Sequence, residues 1–175
     1  LEKINERTRE LVTLQYNTYN RSLVPLMHQH GIVVMDAFED LSESQAAFVD
    51  RYFEDNVYPV LTPMAVDASR PFPLIRNKTL NIAALLSRKK GKAEKEEIEF
   101  ATVQVPSVLP RLVHIPSEDG NEKTFILLEQ VIERNIDKLF LNYDVLCAYP
   151  YRVMRNADLS IDEDEAADLL KEIQK

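Results

Sequence analysis

Along the first thirty residues the apolar positions recur at helical spacing. Val12, Tyr16, Tyr19, Leu23 and Met27 follow steps of four, three, four and four, which sets them on one stripe of an α-helix. Ile4, Leu11 and Leu14 widen that stripe beyond what one flat neighbour can cover, the pattern of a helix inside a bundle. Pro25 lacks the N–H that a helix interior needs, so a kink or an early end is expected there. Gly31 suits the left-handed position after the last turn. Leu1 already lies inside this pattern, so the sequence reads as part of a longer protein whose upstream residues supply the helix with partners.

Beyond Gly31 the period changes. Residues 32–35 read as a short strand. Ser42 with Gln45 three residues on forms a capping box for a helix whose apolar face is Phe48, Val49, Tyr52, Phe53 and Val57, closed by Pro59 and Pro63. The proline-punctuated segment 64–73 is expected to be irregular. Residues 79–87 and 98–105 read as a hairpin around the charged turn 88–97. Short strands follow at 111–115 and 124–126, then a helix with Leu128, Ile132, Ile136 and Leu139 on one stripe. Residues 143–153 form a long strand carrying Cys147, and Ser160 or Asp162 caps a last helix running to Lys175. Strands mixed with helices, without regular alternation, predict an α+β fold: a mixed sheet with packed helices, preceded by one long helix from a helical-bundle domain. The domain boundary falls after Gly31, giving residues 1–31 and 32–175.

Charge refines this picture. The 175 residues carry 21 Lys+Arg against 29 Asp+Glu, a formal net charge of -8, which argues against a general nucleic-acid binder. The distribution is uneven, however. Acids crowd the stretch after Asp158, whereas Arg70, Arg76, Lys78, Arg88, Lys89, Lys90, Lys92 and Lys95 are opposed only by Glu94 between Ala68 and Lys95. The run from Arg88 to Lys95 reads as a solvated turn before it reads as an anion-binding loop.

Several chemistries are excluded. The 3 glycines stand far apart, so no Walker loop and no G-x-G-x-x-G turn can be assembled. Cys147 is the only cysteine, which leaves no intrachain disulfide and makes a reducing cytoplasm the expected compartment. His28, His30 and His114 offer no zinc spacing with it, and His28 and His30 read as caps of a helix C-terminus. Asp162, Glu163, Asp164 and Glu165 suit a helix first turn and lack the glycine of an EF-hand. No metal ligand set and no nucleophile–base pair is indicated. No apolar run approaches the roughly 18 residues of a membrane span.

The most unusual stretch is 58–81, where prolines stiffen a segment bearing Asp67, Arg70, Arg76, Asn77, Lys78 and Asn81. A structural crossover loop and a binding site both fit it. Its residues Val57, Pro59, Leu61-Thr62-Pro63, Asp67, Pro71-Phe72-Pro73 and Asn77-Lys78-Thr79-Leu80-Asn81 resemble the signature of the type 1 polyphosphate kinases. That signature runs V-x-P-x-L-T-P, an Asp, P-F-P and N-x-S-L-N; Thr79 stands where Ser is usual and keeps the hydroxyl. Val105-Pro106, Leu109-Pro110-Arg111 and His114-Ile115-Pro116 resemble V-P…L-P-R-x-x-x-x-P. Residues 125–129 resemble F-x-x-L-E, Leu139-Phe140 resembles the L-F that ends the same helix, and residues 151–158 resemble F-R-x-T-R-N-A-D with Tyr151 for Phe and Met154 for Thr.

The resemblance implies a four-domain parent that reversibly moves the terminal phosphoryl of ATP onto polyphosphate through a phosphohistidine, with Mg²⁺. This chain is similar to the last helix of the N-terminal domain plus the head domain. The resemblance implies that the catalytic histidine, the metal ligands and the ATP contacts lie outside it; none of the three histidines falls in a matching motif, so no catalytic residue is carried over. The expectation is therefore an inactive fragment without a cofactor of its own, acting in dimer contacts and in shaping the active-site channel. Arg70, Arg76, Asn77, Lys78, Arg152 and Arg155 are the candidates for a polyanion contact, polyphosphate being the polyanion in view. For Arg152 and Arg155 the competing expectation is an ion pair with Asp158 or Glu129. The alternative to the whole reading is a stand-alone anion- or nucleic-acid-binding module using the basic hairpin.

Overall fold

The computed structural model describes residues 1–66, 73, 75–88, 98–117, 120 and 122–154. They fall into two compact units, residues 1–60 with 107–135 and residues 61–106 with the chain from Ile136 onward. The described strands are β1 (Ile32–Val34), β2 (Pro63–Val66), β3 (Leu80–Arg88), β4 (Ile98–Gln104), β5 (Leu112–Ile115), β6 (Lys123–Leu127) and β7 (Tyr143–Arg152). The described α-helices are α1 (Glu2–Thr18), α2 (Val24–Gln29), α3 (Glu43–Tyr52) and α4 (Leu128–Arg134).

In the first unit the long helix forms as its periodicity predicts, with one interruption. Tyr19–Leu23 is a π-helical turn between α1 and α2. The same device recurs after α3, where Phe53–Val57 is π-helical before a 3₁₀ turn at Tyr58–Val60. In both places the residue just before a proline donates its N–H five residues back: Val24 to the Tyr19 carbonyl, Tyr58 to that of Phe53. The cause is shared. Pro25 and Pro59 cannot donate, and their rings crowd the carbonyl four residues earlier; a widened turn moves that carbonyl aside.

The helix ends follow their residues. Gly31 adopts φ 67° after α2, and its carbonyl accepts the Lys123 N–H at 2.7 Å. Ser42 Oγ accepts from the Gln45 N–H at 3.4 Å while Gln45 Oε1 accepts from the Ser42 N–H at 3.2 Å, completing the capping box of α3. The sheet of this unit has the order β1-β6-β5, with β1 parallel and β5 antiparallel to β6. Its core is Val49, Phe53 and Val57 from the α3 segment with Val113, Ile115, Ile126, Leu128 and Ile132. Each such burial contributes about 1.5–3 kcal/mol. By contrast, α1 buries no residue and exposes Ile4, Leu11, Val12, Leu14 and Tyr16.

The second unit is an antiparallel sheet of order β2-β4-β3-β7. Ile82, Ala84 and Leu86 of β3 lie buried with Ala101 and Val103 of β4, the two-residue period of a strand with one covered face. Leu85 pairs with Cys147 but Leu86 with Val145, so Leu146 is the extra residue of a β-bulge.

Two expectations are corrected. The segment after Pro63 is not irregular throughout: β2 pairs with β4 in the register Pro63↔Val103 to Val66↔Phe100. Proline is tolerated there because it opens an edge strand. The helix expected to carry Leu128, Ile132, Ile136 and Leu139 on one stripe ends at Arg134. Asn135 caps it, donating from Nδ2 to the Val131 carbonyl at 3.1 Å, and a 3₁₀ turn, Ile136–Leu139, follows. The turn expected at 88–97 and the last helix fall outside the described residues beyond Arg88 and Met154 respectively.

Candidate anion-binding surface

The candidate cations divide by position. Arg76, Lys78 and Arg152 are all exposed in the second unit, while Arg70 and Arg155 lie outside the described residues. The turn at 76–79 is held from below by one buried side chain. Asn81 is 1% exposed and donates from Nδ2 to both the Thr79 carbonyl and the Thr79 hydroxyl, each at 3.1 Å. The hydroxyl in turn donates to the Arg76 carbonyl at 2.8 Å. Serine and threonine are thus equivalent at position 79, because the oxygen is the part in use.

Lys78 sits in the left-handed region at φ 63°, a conformation that costs a non-glycine residue about 1–2 kcal/mol. Its N–H donates to the Val153 carbonyl at 2.9 Å, fastening the turn to the end of β7. Leu80 pairs with Arg152, so the sheet delivers Arg152 to the place where the turn leaves Arg76 and Lys78. Among the described residues none of the three has a carboxylate partner. Asn77 stands between two of these cations but makes contacts of its own. Arg88 is at the opposite end of β3, about 26 Å away along the strand. Among the described residues, Arg88 is therefore apart from Arg76 and Lys78.

Two of the other motifs meet in the first unit. Arg111 accepts the Leu128 N–H at its carbonyl (2.7 Å), satisfying a free donor at the start of α4. Its guanidinium donates to Glu129, with Nε at 3.0 Å from Oε1 and 3.2 Å from Oε2. The Arg of L-P-R and the Glu of F-x-x-L-E are thus one ion pair. Glu129, expected alongside Asp158 as a partner for Arg152 or Arg155, is held by Arg111; Arg155 and Asp158 lie outside the described residues. Arg134 binds Asp50 in a bidentate pair at 2.8 and 3.0 Å. Glu133 is pushed up to about 7, first by burial and then by Glu129 and Glu39. None of these pairings could be found from sequence, since the partners are separated by 18 and 84 positions.

The remaining candidates have structural partners or none. Tyr151, replacing the Phe of the motif, shares a 2.7 Å hydrogen bond with the Thr102 hydroxyl. His114 meets Phe125 edge-on, with ring centroids 5.3 Å apart, and His28 and His30 are exposed at the end of α2. An open groove of about 680 Å³ is lined by Tyr16, Tyr19, Leu23 and Arg111; its one cation is already held by Glu129. Among the described residues no group of three or more His, Cys, Asp or Glu is placed to hold a metal ion. No helix among them is long and apolar enough to cross a membrane.

Comparison with known proteins bears out the resemblance read from the motifs. Residues 44–175 match the polyphosphate kinase middle domain. The chain is 49% identical over 172 residues to a polyphosphate kinase of Lactiplantibacillus plantarum, covering 98% of this chain and 23% of that protein. It is 47% identical to a polyphosphate kinase of Halalkalibacterium halodurans, over 100% of this chain and 24% of the other. Among solved structures it is similar to the polyphosphate kinase from Porphyromonas gingivalis, with TM-score 0.75, 27% identity, and 90% of this chain against 25% of that one. The chain spans about a quarter of the length of these relatives. The α+β arrangement, its motifs and its relatives agree: this chain belongs to the polyphosphate kinase family and carries that family's middle domain.

Proposed function

We propose that the chain is the non-catalytic middle part of a kinase that reversibly transfers the terminal phosphoryl of ATP to polyphosphate. The phosphohistidine, the ATP contacts and the Mg²⁺ ligands belong to other parts of the parent. Residues 1–31 are the last helix of a preceding helical domain, and residues 32–175 form the head domain. The head contributes to dimerisation and to the shape of the active-site channel, in a cytoplasmic enzyme. The observation that carries this reading is the match of residues 44–175 to the middle domain of proteins four times as long. The apolar positions left exposed along α1 support it.

The test is a phosphoryl-transfer assay with ATP and Mg²⁺ on the purified chain and on the parent protein. Polyphosphate is expected from the parent alone. Synthesis by the 175-residue chain would overturn the non-catalytic assignment, and a parent that makes none would overturn the activity. Light scattering of the parent with and without its head tests the dimer role; an unchanged dimer counts against it.

A further inference from the structure

Lys78 presents a conflict between stability and charge. Its backbone is left-handed, and Gly or Asn would relieve the strain. A lysine held there roots a cation at a fixed main-chain position, its ammonium free on a flexible stem, and strain retained at a surface turn points to function. The turn is also over-determined: Asn81, Thr79 and the Arg76 carbonyl form one hydrogen-bonded relay, and the Val153 carbonyl holds Lys78 from the side. Nothing in the packing of the sheet requires Arg76, Lys78 and Arg152 to be cations, since all three are exposed.

We propose that the turn at 76–79 and the end of β7 form a preformed contact for a linear polyphosphate chain, with Arg76, Lys78 and Arg152 as its cations and Thr79 and Asn81 as positioning residues. This rests on the reading that the parent handles polyphosphate. The two guanidinium groups offer planar forks that match phosphate oxygens, and the ammonium adds a point charge on the same turn. A backbone already fixed loses little freedom on binding. A chain of phosphates engages the cations together, so each contact raises the local concentration for the next. Pyrophosphate cannot do this, and the contact therefore selects for length.

The experiment measures binding of long-chain polyphosphate, pyrophosphate and single-stranded DNA to the parent kinase at low and high salt. Lys78→Gly should leave the urea midpoint at or above that of the wild type while weakening long-chain binding about three-fold. Lys78→Gly with Arg152→Gln should weaken it about ten-fold at low salt, with the difference shrinking as salt rises. Thr79→Val should reproduce the loss and Thr79→Ser should not. The inference fails if the double variant binds long chains as the wild type does, or if pyrophosphate or DNA binding falls equally. A parent that binds polyphosphate through these residues yet transfers no phosphoryl group sinks only the activity. Intact transfer with unchanged affinity in the variants sinks only this contact.

Discussion

Replacing Arg111 with alanine should destabilise the first unit more than an ordinary surface change does. Glu129 is 4% exposed, and both its oxygens accept from Arg111. Removing one partner of a fully buried pair costs about 3–5 kcal/mol, because the other charge stays buried without compensation. Here the guanidinium side chain is 58% exposed, so water screens the pair and the expected loss is nearer about 2 kcal/mol. The Leu128 N–H keeps its acceptor, since that bond uses the main chain of residue 111. With a urea m-value of about 2 kcal/mol/M, the midpoint should fall by about 1 M. Adding Glu129→Gln to Arg111→Ala should recover about 1 kcal/mol, because an amide is easier to bury than a lone carboxylate. Urea unfolding followed by circular dichroism reads all three proteins. An Arg111→Ala variant within about 0.5 kcal/mol of wild type, the range of a neutral surface change, would refute the reasoning; a double variant no better than the single would show that the stranded charge is not the cause.

Two further outcomes follow from the same structure. Glu133 is raised from 4.5 to about 7, so between those values the unfolded chain releases a proton that the folded chain retains. Stability is therefore lost as pH climbs through that window, and Glu133→Gln should remove this slope; equal slopes in wild type and variant would disprove it. Thr102 is fully buried with its hydroxyl on that of Tyr151. Tyr151→Phe should cost about 1 kcal/mol and Thr102→Val should offset most of it; additive losses in a double-mutant cycle would show no coupling.

Local chemistry was readable where cause and effect lie within a few residues. Ser42 and Gln45 announce the start of α3, and Gly31 announces the end of α2. The antiparallel pairing of β3 with β4 is visible in two apolar runs separated by a charged stretch. The break at Asn135 was not readable, because Leu128, Ile132, Ile136 and Leu139 keep helical spacing across it. The strand opened by Pro63 was hidden by that proline, since its pairing with β4 is a matter of distant sequence. The candidate site was half legible. Arg76, Asn77 and Lys78 stood out as charges on a stiff segment, but the neighbourhood of Lys78 and Arg152 depends on the β3–β7 register. The supporting role of Asn81 depends on a side chain that only the fold buries.

The π-helical turn at Tyr19–Leu23 changes what the amphipathic first helix can meet. A straight α-helix keeps Val12, Tyr16, Tyr19, Leu23 and Met27 in line, since each residue adds about 100°. A wide turn inserts one residue into that count and so rotates everything after it by about that angle. Val24 and Met27 are accordingly half-buried where α2 packs beside β1, while the stripe on α1 remains exposed. A single apolar pattern in the sequence is thereby split, its α2 part half-buried beside β1 and its α1 part exposed, and the wide turn ahead of Pro25 sets the angle between them.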